Sequence, residues 1–270
     1  TVHLRMTPSA LARRTPEDSQ WMLEAFAEYD ASVAPADVAD LVALAARDRE
    51  ASLRAWAVRA AVERGLALKK AGNRLMELIG GRAIHPINVR LGGFYSVPSR
   101  TDMAAMAQVL RVALDDALAT VRWVSSFDFP DLSIDHELLA LTGERYPLET
   151  GTIVRSAGPS FPIAEFSEHV RETHVPHSTA LHATLDGNRH LTGPLARYSL
   201  NYDKLSPLAQ QAAADAGLGR ECRNPFRSIV VRAVEVVHAI DEALRIIAQY
   251  RQPARVSVDV HPRAGVGHGV

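Results

Sequence analysis

Glycine-rich turns that also carry an arginine and a histidine let a backbone come close to a ligand or to another chain. Gly80-Gly81-Arg82-Ala83-Ile84-His85-Pro86, running on to Leu91-Gly92-Gly93-Phe94, is such a stretch. Pro86 predicts an extended backbone at His85, and Arg82 sits on the same glycine-tethered loop. By position alone His85 fits a structural loop histidine as well as one with a chemical task. Cys222, in Glu221-Cys222-Arg223-Asn224, lies just before a predicted helix. A helix N-terminus lowers a thiol pKa and makes a nucleophile; an inert cysteine is the other reading, and the preferred one. His169, His174, His177, His182 and His190 fall close together. The sequence around them is broken by prolines and lacks metal-ligand spacing, so surface and loop histidines are preferred to a metal site. His238 falls mid-helix beside an apolar stripe, as a hydrogen-bonded helix histidine does. There is no P-loop, GxSxG elbow or HExxH. Gly265-Val266-Gly267-His268-Gly269 has no following helix to make a dinucleotide site.

Composition narrows the classes further. The chain has 270 residues, a formal net charge of −1 and a pI near 6.8. That near-neutrality gives no electrostatic case for nucleic acid or an anionic membrane. With 47% hydrophobic and 23% charged residues it can bury a sizeable core. A single cysteine excludes an internal disulfide and any Cys-rich metal or iron–sulfur site built from this chain alone. A reducing, cytoplasmic setting is therefore expected. No apolar run approaches the ~20 residues of a membrane span. The non-methionine start and the glycine-rich end read as cuts in a longer chain, which is an expectation about the parent protein.

The elements that must position the loop are helical. Leu53, Trp56, Ala57, Ala60, Leu68, Ala71, Leu75 and Leu78 recur at helical steps and predict a helix over 48–79, about 45 Å long at 1.5 Å per residue. Gly80-Gly81 should stop it with a positive φ. Ser99 and Asp102 have capping-box spacing and open a second helix to about Ser125, with Met103, Met106, Val109, Leu110, Ala113, Leu114, Ala117 and Val121 inward. Short helices are expected at Gln20–Tyr29 and Ala36–Ala46. Residues 127–192 are punctuated by proline and glycine and predict a small peripheral α+β excursion. Within it, strands are expected at Gly151–Arg155 and Ala180–Leu185, with a helical turn at Ala164–Glu172 between them. Helices are expected again at Leu195–Leu200 and Pro207–Ala216. A third long helix over about 225–250 is capped by Asn224-Pro225, and a strand follows at Arg255–Val260. The expected class is mainly α: a single partial domain over 1–270, with a long-helix bundle core at about 48–125 and 193–250.

These residues together resemble a family. Gly80-Gly81-Arg82-Ala83-Ile84-His85-Pro86 with Gly92-Gly93-Phe94 is similar to the central motif of nickel–iron hydrogenase large subunits, nearest their soluble cytoplasmic branch. Further matches follow in order: Gly193-Pro194-Leu195-Ala196-Arg197 with Asn201, then Arg223-Asn224-Pro225-Phe226 with Ala233-Val234-Glu235, then Ala264-Gly265-Val266-Gly267-His268-Gly269. The resemblance spans about residue 80 to 270, and the helix over 48–79 fits it.

The resemblance implies a hydrogenase large-subunit-like fold and, in the full-length parent, a nickel–iron centre with cyanide and carbonyl ligands. It also implies electrons passed to a small subunit carrying iron–sulfur clusters, and to further electron-transfer subunits. The family's metal-bearing CxxC motifs, one near each end, are not in this chain, so no catalytic residue and no metal ligand is expected here. The resemblance places Arg82, His85, Gly92 and Gly93 toward the small subunit, with His85 orienting by hydrogen bonds, and puts Gly265 and Gly267 in a turn near the active site. The chain alone is expected to be inactive, to bind no cofactor, and to expose apolar faces that make it poorly soluble. Two other readings stay open: a metal-free relative similar to the quinone-site subunit of respiratory complex I, and a non-catalytic helical interaction protein.

Overall fold

The computed structural model describes residues 49–147 and 151–267; in the first helix the side chains described are those of 59 and of 62 onward. By contacts the chain divides into Thr1–Leu66 and Ala67–Val270. The helices expected at 20–29 and 36–46 lie outside the described residues. Helix α1 is Arg49–Gly80. In its first part Arg59 Nε pairs with Glu63 at 2.8 Å, one turn apart. Further along, Ala71 is buried while Leu68, Leu75 and Leu78 are half-buried, so the predicted stripe is only partly covered. Gly81, at φ +82°, ends the helix and returns its N–H to Glu77 O at 3.0 Å.

A short hairpin follows, β1 (Val89–Arg90) and β2 (Gly93–Phe94). Helix α2, Arg100–Ser125, starts at the expected capping box: Ser99 Oγ accepts from Asp102 N at 3.1 Å, and Asp102 Oδ2 accepts from Ser99 N at 3.1 Å. Those hydrogen bonds from Ser99 hold the Asp102 carboxyl below the usual range. Met103, Met106, Leu110, Ala113, Ala117 and Val121 are buried as predicted. Helix α6, Ser228–Ala248, lies against α2, and its start is tightened by a 3-10 turn at Pro225–Arg227.

Two shorter helices complete this core. Helix α4 is Pro194–Asn201 and α5 is Pro207–Asp215, both opened by proline in the first turn. Ala209 and Ala213 are fully buried, and such small side chains let the α5 backbone approach α6 closely. Tyr198, Val230, Val231, Val234 and Val237 are fully buried in the same cluster.

Residues 127–192 carry the remaining strands, β3 to β7. β3 (Glu137–Thr142) is central in a sheet ordered β4-β3-β7, antiparallel to β4 (Thr152–Arg155) and parallel to β7 (His190–Leu191). A 3-10 turn at Ile163–Glu165 leads into α3 (Phe166–His169) and the hairpin β5 (Val170–Thr173) and β6 (His182–Leu185). Leu139, Ile153, Phe161 and Leu185 form a second small core. The pattern differs from expectation in three places. β3 was not expected, because Glu-Leu-Leu-Ala-Leu reads as helix and acquires its strand only from flanking partners. The turn over 164–172 ends at His169, where Val170 pairs with Leu185. Arg255–Val260 forms a single bridge, Ser257 to Gly93, because the strand it meets is two residues long.

Candidate functional site

The loop after α1 is organised by a residue the sequence pattern did not single out. Asn88 is buried, and its carboxamide makes all the bonds it can. Nδ2 donates to Ile79 O and Ser96 O, each at 2.7 Å; Oδ1 accepts from Ser96 N at 2.9 Å and from Ser96 Oγ at 3.0 Å. Gly80 O accepts from Ile87 N at 2.9 Å and Asn88 N at 3.0 Å. The chain from 80 to 96 is thereby closed on the C-terminal carbonyls of α1, which otherwise lack partners. Gly80 is required for this closure, since a Cβ there would stand 2.9 Å from Pro86 Cβ.

His85 departs from expectation: its φ is +52°, left-handed and not extended. The turn between Gly80 and Ile87 must reverse the chain within a few residues, and Arg82 Nε donates to the His85 carbonyl, fixing that reversal. The ring itself is exposed and makes no hydrogen bond among the described residues. Arg82 thus holds the backbone of His85 and leaves its imidazole free.

Gly92 and Gly93 meet an extended segment. A Cβ on Gly92 would lie 2.1 Å from Val258 O, and one on Gly93 2.6 Å from Val256 O. Phe94 N donates to Val256 O and Val258 N to Gly92 O, both at 3.0 Å. The hairpin is thereby bonded to residues 256–258, just before the glycines at 265 and 267. Neither of those has a positive φ, and both are exposed with open space around them. The outer side of the assembly is apolar: Ile84, Ile87, Val89, Leu91 and Tyr95 are 59–69% exposed.

The other motif stretches converge in the helical core. Arg197 forks onto Glu235, with Nε at 2.6 Å and Nη2 at 2.9 Å, and the hydrogen bond raises the Arg197 pKa. Tyr146 Oη donates to the same carboxylate at 2.6 Å, and burial drives its phenol far above the usual range. Asn201 Nδ2 donates to Leu141 O at 2.9 Å, tying α4 to β3. His238 is the hydrogen-bonded helix histidine expected: Nδ1 accepts from Ser206 N at 3.0 Å and burial lowers its pKa. Asn224 Oδ1 accepts from Phe226 N at 2.9 Å and Nδ2 donates to Pro130 O at 2.8 Å, so it caps a turn and pins the strap from 127 to 136. An open groove of about 440 Å³ separates that strap from Glu221–Arg227.

Cys222 lines this groove, but its side chain is buried and burial pushes the thiol pKa up, opposite to the helix-terminus expectation. Desolvation outweighs the opposing contributions of the Asn224 backbone and the Arg227 charge. The histidines disperse. His169 Nδ1 lies 3.0 Å from Asp186 Oδ1 with its ring stacked on Phe161 at 4.1 Å, while His177 and His182 touch edge-on at 5.6 Å. Among the described residues no three metal-ligating side chains come together. A thiolate-bridged nickel–iron centre needs several cysteines. With one buried cysteine, the residues present do not fit it.

No protein-family model matches the chain. It is similar to the alpha subunit of sulfhydrogenase 1 of Pyrococcus furiosus, 29% identical over 217 residues, which are 76% of this chain and 49% of that protein. It is also similar to the alpha subunit of sulfhydrogenase 2 of the same organism, 24% identical over 188 residues, 70% of this chain and 43% of that one. The chain therefore spans about half the length of these relatives. Among solved structures, the NAD+-reducing NiFe hydrogenase in its H2-reduced state superposes with a TM-score of 0.61 at 16% identity, covering 86% of this chain and 54% of that one. The fold is hydrogenase-like, and the relatives are hydrogenase alpha, or large, subunits.

Proposed function

We propose that these residues are the central part of a nickel–iron hydrogenase large subunit, supplying scaffold and a partner-facing loop while the metal ligands lie elsewhere in the parent protein. The parent oxidises hydrogen reversibly to protons and electrons, and the electrons leave through an iron–sulfur small subunit. In this reading Arg82, His85, Gly92 and Gly93 form the side toward that subunit. Gly265 and Gly267 lead toward the active site, and the setting is cytoplasmic. The observation that carries it is the fork of Arg197 on Glu235, which joins two of the family-like stretches, in a chain similar to hydrogenase alpha subunits. The chain alone holds no nickel and turns nothing over. The test is hydrogen-dependent dye reduction by the purified 270-residue chain: no reduction is expected, and turnover would overturn the assignment of the chemistry to absent residues.

The single cysteine also favours a second reading, a metal-free relative similar to the quinone-site subunit of respiratory complex I. Reading the coding DNA upstream of Thr1 and beyond Val270 separates the two. CxxC motifs on both sides support hydrogenase; their absence supports the metal-free relative.

A further inference from the structure

We propose that residues 129–135 are a strand-addition edge for an extended basic peptide of another protein. This surface is separate from the loop at 80–96 and independent of the function proposed above. Residues 128–136 run without a turn, bend or helix until β3 begins at Glu137. They are held along one edge only. Pro130 O accepts from Asn224 Nδ2 at 2.8 Å, Ile134 N donates to Arg223 O at 3.1 Å, and His136 O accepts from Arg223 Nη1 at 2.7 Å. Consecutive residues of an extended chain turn their N–H and C=O to opposite edges. The even-numbered residues therefore face Arg223 and Asn224, and Phe129, Asp131, Ser133 and Asp135 face away. No backbone N–H or C=O of those four has a partner among the described residues. Asp131, Ser133 and Asp135 are exposed, whereas Ile134 and His136 are half-buried. Pro130, which has no N–H, sits on the occupied edge, so the open edge keeps every donor. From Glu137 onward the same chain is paired, by β7 and then by β4.

Such an edge takes up the backbone of an extended chain, and its charge selects which chain. The strap carries Asp128, Asp131 and Asp135 and neither lysine nor arginine. Asp135 is fully exposed with Arg223 4.0 Å away; Asp128 and Asp131 have no cationic partner among the described residues. Like charges directly opposite are unfavourable in a strand pair, which argues against a second copy of this edge as the occupant. Lysine or arginine at alternate positions of an incoming strand would face the aspartates instead. The occupant is therefore a lysine- or arginine-rich segment that binds in extended form.

The test titrates the purified 270-residue chain with a fluorescent peptide of alternating lysine and valine, about ten residues long, enough to span the edge. Saturable binding is expected, with hydrogen exchange at the Asp131, Ser133 and Asp135 amides slowed about tenfold or more and the Ile134 amide unchanged. Asp131→Asn with Asp135→Asn should weaken binding about fivefold or more. Asp115→Asn, at an exposed position on α2, should leave it unchanged. Thermal melts establish that the variants fold. The same peptide N-methylated along its backbone keeps its charge and loses its donors, so it should not bind. Equal binding of the N-methylated peptide, or binding that leaves the three amides exchanging as before, would reduce the contact to charge attraction and overturn strand addition. Equal binding of a glutamate–valine peptide would overturn the basic class. No binding of the lysine–valine peptide would overturn the inference. Each of these results leaves the proposed function standing.

Discussion

His238 shows how one buried side chain ties stability to pH. Its Nδ1 accepts the Ser206 amide that opens α5, which only the neutral ring can do, and burial lowers its pKa although Glu242, Asp241 and Glu235 pull the other way. The unfolded chain, with a histidine near 6.5, binds more protons than the folded one as the medium acidifies. The contribution is therefore complete above that value and is lost as pH falls through it toward the folded pKa. Melting temperature should fall between about pH 7 and 5, and His238→Gln, which keeps an acceptor that does not titrate, should flatten the slope. An unchanged slope would remove His238 as the cause. Arg197 and Glu235 make a stronger demand. Arg197→Met leaves a carboxylate with only Tyr146 for company, at a cost of about 2 kcal/mol by urea titration. That figure is set below the fully buried range because the arginine keeps 34% of its side chain exposed.

At the scale of elements, the loop from 80 to 96 depends on Asn88 more than on the residues that define its motif. Asn88→Ala leaves Ile79 O and Ser96 O without that donor and the Ser96 amide without its acceptor, a loss of about 2–4 kcal/mol. Hydrogen exchange should report it locally, with Ile87, Asn88 and Tyr95 amides losing protection while α2 keeps it. Gly92→Ala should free residues 256–258, exposing the Val258 and Phe94 amides, because no side chain fits 2.1 Å from a carbonyl. The long helices were legible because their apolar spacing and capping signals are local: Ser99 with Asp102, Gly81, Asn224. β3 was not legible, since its leucines favour helix and its strand is imposed by β4 and β7. Asn88 was hidden for a similar reason; an asparagine after a turn is unremarkable until Ser96 folds back onto it. The left-handed φ at His85 opposed a sound local rule because the closure on Gly80 outweighs the preference set by Pro86.

At the scale of the molecule, the motif stretches acquire a common explanation. Several of the residues that drew notice in the sequence secure junctions: Gly92-Gly93 with 256–258, Arg197 with Glu235, Asn201 with β3, Asn224 with the 127–136 strap. His169, His177, His182 and Cys222, for which the sequence already preferred readings without chemistry, make local contacts. The exposed Ile84, Ile87, Val89, Leu91 and Tyr95 predict that the isolated chain self-associates and binds a hydrophobic dye, and that a partner subunit suppresses both. Dye binding that a bound partner leaves unchanged would place the interface elsewhere. The central claim is that these residues belong to a hydrogenase large subunit as scaffold and docking surface and do not hold its metals. Elemental analysis of the chain co-purified with its iron–sulfur subunit tests it most directly. The account predicts iron in cluster amounts and nickel below about 0.1 per chain; nickel near one per chain, or a chain that brings down no iron at all, would contradict it.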